Sequence, residues 1–149
     1  MGEVRADASG PEAQRRAGAG AARARPLSPH LQVWRWHITM AASILTRATG
    51  VALYVGTVIV AAWAVSLASG PGAYADFMAL MASPLGRLVL FGLTVSIFYH
   101  LAAGVRHLVF DSGHGLNPAT ANMSAVASIA FAIVATLVVW ALAFATGAI

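Results

Sequence analysis

The chain contains no cysteine and no lysine, and only 9% of its 149 residues are charged. Without cysteine it can form no disulfide, no thiolate metal site and no iron–sulfur ligation of its own, so any redox centre it holds must use other ligands. The scarcity of charge excludes an ordinary soluble domain, in which about a quarter of residues are charged. Alternating apolar and polar runs are lacking as well, and a transmembrane barrel needs at least about eight such strands. Helices in a membrane are what remains.

Hydrophobic residues make up 59% of the chain, and they fall in three long stretches. The first follows Arg47 and runs uncharged to Ala75, the second extends from Leu88 to Phe110, and the third lies within Ser112 to Ile149. Crossing a hydrocarbon core of about 30 Å takes about 20 helical residues, so each stretch is long enough for one passage. The sequence therefore predicts an all-α integral membrane protein with three transmembrane helices, at about residues 39–68, 85–111 and 120–146, in an anchor domain spanning 26–149.

A net charge of +4 raises the question of nucleic acid. The arginines answer it by their position. Arg5, Arg15, Arg16, Arg23, Arg25, Arg35 and Arg47 all precede or open the first apolar run, whereas the loop between helices one and two offers Asp76 and Arg87. The partner is the lipid bilayer and not nucleic acid, and the positive-inside rule puts the N-terminus in the cytoplasm and the C-terminus on the far side. Arg106 and Asp111 then return to the inner face, close enough to the helix end to reach headgroups or water.

Residues 1–25, rich in Ala, Gly and Arg and without hydrophobic periodicity, read as a disordered tail. They contain no apolar core of about 7–15 residues, so they do not read as a secretory signal. A mitochondrial presequence is Arg-rich too, but Glu3, Asp7, Glu12 and the prolines oppose it. A bacterial inner membrane is the expected location, with the mitochondrial inner membrane as the alternative.

The segment RPLSPHLQVWRWHITMAASILTRATG, residues 25–50, brings the chain to the membrane. Pro26 and Pro29 keep its start extended, and Trp34 and Trp36 are amphipathic rings suited to headgroup depth. Ser43 and Arg47 are four residues apart and share one helical face. Two readings fit them. Arg47 can snorkel to phosphates while Ser43 bonds to its own helix, or the two can form a polar pocket for a ligand with an apolar tail, as a quinone requires.

YHLAAGVRHLVFD, residues 99–111, ends the second apolar stretch. His100 and His107 are two turns apart on one face, with Gly104 between them and His100 about 10 Å deeper. A glycine there lets a flat ring approach the backbone. A histidine at His100's depth is costly without a partner. It can hydrogen-bond to a neighbouring helix, relay protons, or ligate haem iron. In the haem case two axial histidine nitrogens lie about 4 Å apart, given metal–nitrogen bonds of about 2 Å, which two histidines so separated on one helix cannot achieve. Helices one and three contain no histidine within the bilayer, so a haem would require a partner membrane subunit. His107 would then stand near a propionate. Trp140 and Phe144 on helix three are expected to face lipid or that partner.

RPLSPHLQV followed by SILTRATG, and HLAAGVRHLVFDSG further on, resemble the two signatures of the cytochrome b subunit of succinate dehydrogenase, the membrane anchor of respiratory complex II. The likeness covers residue 25 to about 149. It implies one of two membrane anchors holding a flavoprotein subunit and an iron–sulfur subunit, with ubiquinone reduced near the inner face and haem b between the two anchor chains. Position by position, His100 matches the axial haem ligand, and Ser43 and Arg47 match quinone-pocket residues. His107 and Asp111 match motif positions. The likeness further implies that Arg47 faces a haem propionate and that Trp36 and Asp111 border the quinone pocket. Thr46 departs from the pattern, standing where the family usually has histidine; His37 is the candidate to take over that imidazole's role.

Reducing a quinone takes two electrons and two protons, so its site must touch both an electron donor and water. Arg47 would stabilise the developing negative oxygen by a charge-assisted hydrogen bond, and Ser43 would orient the other oxygen or bridge a water. Two other classes share some of these features. A cofactor-free structural anchor would have the same helices and charge bias, and a small transporter subunit could carry intramembrane His and Arg, though few polar groups in helices one and three and no internal repeat speak against transport.

Overall fold

The computed structural model describes residues 34–147. The chain divides into two units, 1–35 and 36–149, and the fold below is that of the second. The Ala/Arg-rich tail expected at 1–25 lies outside the described residues.

Four helices make up this unit: α1 (Ile38–Ala68), α2 (Pro71–Ala82), α3 (Pro84–Asp111) and α4 (Pro118–Ala145). α1, α3 and α4 are long and apolar enough to cross a membrane. They are the three helices that the hydropathy demands, each starting one or two residues before the expected position. α2 is the addition. The uncharged run to Ala75 conceals a break at Gly70, whose φ of 109° suits a residue without Cβ, and Pro71 then opens a new helix. At 12 residues α2 is too short to span a bilayer. Its Phe77 and Met81 border a small apolar cavity of about 260 Å³ with Ile59 and Trp63 of α1 and Leu90 of α3.

Helix ends follow their local chemistry. Ser83 caps α3, its hydroxyl accepting from the Gly86 amide at 3.1 Å, and Asn117 caps α4, accepting from the Ala119 amide at 2.9 Å. Both helices have proline in the first turn, where no amide partner is lost. α3 stops at Gly113, with φ of 81°: the Gly113 amide donates to the Phe110 carbonyl and the His114 amide to that of Val109, so the last turn's carbonyls are satisfied.

The interior is built from small side chains. Ala42, Thr49 and Gly56, at seven-residue spacing, are the buried positions of α1; Ser96, Tyr99 and Ala103 line α3; Ala125, Ser128, Ala132 and Thr136 line α4. Lipid is as apolar as leucine, so helices associate in a membrane by close backbone approach rather than by hiding large side chains, and small residues allow that approach. The larger apolar side chains accordingly point outward, Val58, Leu101, Leu108 and Leu142 among them.

Direction follows from the contacts. Thr49 meets His100 and Gly56 meets Leu93, seven residues on in α1 and seven back in α3, so the two helices run antiparallel. The start of α1 and the end of α3 therefore lie at the same end of the bundle. α3 and α4 are antiparallel too, since Arg106 bonds Ser124 while Thr94 bonds Trp140. Trp140 is thus a correction to the sequence reading. Its indole donates to the Thr94 hydroxyl at 3.3 Å and its ring meets Phe91 edge-on at 5.2 Å, both within the bundle, while Phe144 lies exposed against it.

Candidate functional site on the α1–α3 face

Ser43, Arg47, Gly50 and Tyr54 recur at intervals of four, three and four residues and form one stripe along α1. His100, Gly104, His107 and Asp111 do the same along α3. The two stripes meet at Gly50. A Cβ placed there would lie 3.3 Å from His100 Cε1, so the missing side chain is what lets the imidazole lie close against α1. His100 is half-buried, and its Nδ1 is 3.3 Å from the Thr49 hydroxyl. Its Nε2 has no hydrogen-bond partner among the described residues. Next to it, Tyr99 is buried and donates its hydroxyl proton to the Ala42 carbonyl at 2.8 Å, fixing the register of the two helices.

Counting outward from the Thr49–His100 pair at 1.5 Å per residue, Arg47 stands about 3 Å nearer the membrane surface than His100, and Ser43 is about level with His107. Ser43 and Arg47 are exposed, and among the described residues neither has a hydrogen-bond or ion-pair partner. His107 is exposed with its ring against Phe110, and Asp111 is exposed at the last residue of α3. Gly104 faces open space between the histidines. Deeper than His100, the seam widens into an apolar groove of about 350 Å³ lined by Leu53, Gly56, Val60, Leu93 and Ile97. The face thus grades from charge at one end, through one imidazole, to hydrocarbon. Trp36 is exposed two residues before α1, at the Ser43 end.

Thr46 turns its hydroxyl to the Ala42 carbonyl of its own helix at 2.8 Å. It offers nothing outward. His37 is exposed at the N-cap of α1.

Arg106 departs from the expectation that it reaches headgroups or water. Its Nε donates to the Ser124 hydroxyl at 3.0 Å, its Nη2 to the Ala121 carbonyl at 3.2 Å, and its guanidinium covers the Phe110 ring at 4.5 Å. It belongs to the α3–α4 packing. Sequence reasoning also passed over Thr49, Gly50 and Tyr99. The first two stand inside the SILTRATG segment and the third beside His100, but only the helix pairing reveals what they touch.

Over residues 21–139 the chain matches the family model described as succinate dehydrogenase/fumarate reductase transmembrane subunit. The chain belongs to this family. It is similar to the succinate dehydrogenase cytochrome b556 subunit of Paracoccus denitrificans, with 44% identity over 74% of this chain and 85% of that one. The likeness to the Rickettsia felis subunit of the same name is 33% over 78% and 90%, and to the mitochondrial cytochrome b560 subunit of Sus scrofa 39% over 62% and 56%. The protein is a cytochrome b-type membrane-anchor subunit of succinate dehydrogenase. In that anchor, the α1–α3 face is the only one among the described residues that presents an imidazole nitrogen without a partner well inside the spanning helices.

Proposed function

We propose that this anchor holds haem b through His100, together with a second membrane-anchor subunit that supplies the other axial ligand, and that Ser43 and Arg47 bind the ubiquinone it helps to reduce. The observation that carries the reading is the His100 ring, tied by Nδ1 to α1 with Nε2 free, on the face that also presents an unpartnered Arg47. The donor set fits the group: one imidazole nitrogen without a protein partner, its ring seated against Gly50, with open space at Gly104 on the same stripe and an apolar groove deeper along the seam. Bound haem supplies reversible one-electron chemistry at iron. His107, about 10 Å nearer the surface, and Arg47 would hold its propionates.

At the quinone site, two electrons delivered from the iron–sulfur subunit and two protons from water convert quinone to quinol. Arg47 donates to the oxygen on which negative charge develops, in a site where no other described group competes for its guanidinium. Ser43, one turn nearer the surface, orients the second oxygen or a water that carries a proton to it. Trp36 and Asp111 border the mouth, and His37 stands in for the imidazole that Thr46 lacks. Iron–sulfur and flavoprotein subunits dock on the arginine-rich side, which the charge bias assigns to the cytoplasm of a bacterium.

Purifying the complex and recording its reduced-minus-oxidised spectrum tests the assignment. His100→Ala is expected to abolish or shift the haem b band; an unchanged band in assembled complex would remove His100 from the iron.

A further inference from the structure

The Thr49 hydroxyl has one proton and two backbone carbonyls within reach of it. Oγ1 lies 2.7 Å from the Leu45 carbonyl and 3.1 Å from that of Thr46, acceptors that cannot donate in return. With its proton given to either carbonyl, the same oxygen has a lone pair left to accept from His100 Nδ1, at 3.3 Å. In that arrangement Nδ1 carries the imidazole proton and the free lone pair is on Nε2. Gly50 adds the second constraint, since the ring edge lies against its backbone and a methyl group there would crowd Cε1. Thr49 is itself buried.

We infer that Thr49 is a positioning residue for His100: by accepting the Nδ1 proton it selects the tautomer, holds the ring plane, and presents Nε2 outward as the metal-binding nitrogen. The inference rests on the haem reading above and deepens it. A hydrogen bond from Nδ1–H makes the imidazole a more basic ligand, and a more basic ligand favours the oxidised metal. Removing the acceptor shifts the balance towards the reduced form by the equivalent of one ordinary hydrogen bond, about a fivefold change in the ferrous-to-ferric ratio at fixed ambient potential.

The experiment uses the whole complex carrying Thr49→Val, which keeps the shape without the hydroxyl, Thr49→Ala, which removes it without adding a methyl, and Thr49→Ser, which restores it. Haem b is titrated electrochemically, and the imidazole ring modes are followed in redox-difference infrared spectra. Val and Ala are expected to retain haem while the midpoint potential moves upward and the ring mode moves with it; Ser is expected to return both to wild type. Should Val fail to assemble, Ala decides. Wild-type potential and ring mode in the hydroxyl-free variants overturn the inference. If His100→Ala loses the band but the Thr49 variants move nothing, only the role of Thr49 falls; if His100→Ala keeps the band, the haem reading falls and takes this inference with it.

Discussion

The two seams of α3 are built on opposite terms. Against α4, the long polar side chains find partners inside the chain, Arg106 on Ser124 and Ala121 and Trp140 on Thr94, with Phe98 meeting Phe131 edge-on, while the buried Thr136 hydroxyl has none among the described residues. Against α1, Tyr99 and Thr49 fix the register, and beyond them Ser43, Arg47 and the far nitrogen of His100 are left without partners among the described residues. The contrast is sharpest in the two arginines at the same end of the bundle. An arginine in or near hydrocarbon is costly unless its donors are met; Arg106 meets its own inside the chain, whereas Arg47 has its donors free for the ligand proposed above. Charge and depth alone do not separate Arg47 from Arg106; their neighbours do.

That comparison can be broken in several ways. The largest effect is expected from Arg47→Ala, which should lower succinate:quinone reductase activity by about 10- to 100-fold while succinate oxidation by an artificial dye continues, because a charge-assisted bond to the reacting oxygen is lost and the succinate site is elsewhere in the complex. Assaying both activities on one preparation decides it, and a parallel fall in the two would take Arg47 out of the quinone site. On the closed seam, Ala132→Leu should cost about 1–3 kcal/mol by forcing α3 and α4 apart at a position only 2% exposed, read as a lowered thermal midpoint of the purified complex.

Arg106→Ala comes next. It should cost about 1 kcal/mol, the usual size of interhelical polar contacts in membranes, and leave quinone turnover per assembled complex within about twofold of wild type. A loss of turnover like that of Arg47→Ala would erase the distinction between the seams. Trp140→Phe should have the smallest effect, about 0.5 kcal/mol, since the ring contact with Phe91 survives and only a long hydrogen bond is removed; the same thermal measurement sharpens how tightly the seam is closed.

Much of the site is legible in the sequence. The 4–3–4 spacing alone places His100, Gly104, His107 and Asp111 on one face, and the same spacing joins Ser43 to Arg47. α2 is not legible there, because its first residues, up to Ala75, continue an uncharged run and the break depends on the conformation of one glycine, Gly70. The inward turn of Arg106 is half legible: its six-residue offset from His100 puts it on a different face, but nothing in the spacing names Ser124 as the acceptor.

By itself the sequence determined the three crossings and the stripe on which each polar residue stands, because hydropathy and helical period are properties of contiguous residues. Tertiary structure alone decided which arginine is spent and which is free, and which nitrogen of His100 faces outward. Those outcomes depend on pairs such as Thr49 with His100 and Arg106 with Ser124, far apart along the chain, whose meeting is settled only when small residues let the helices close on one another.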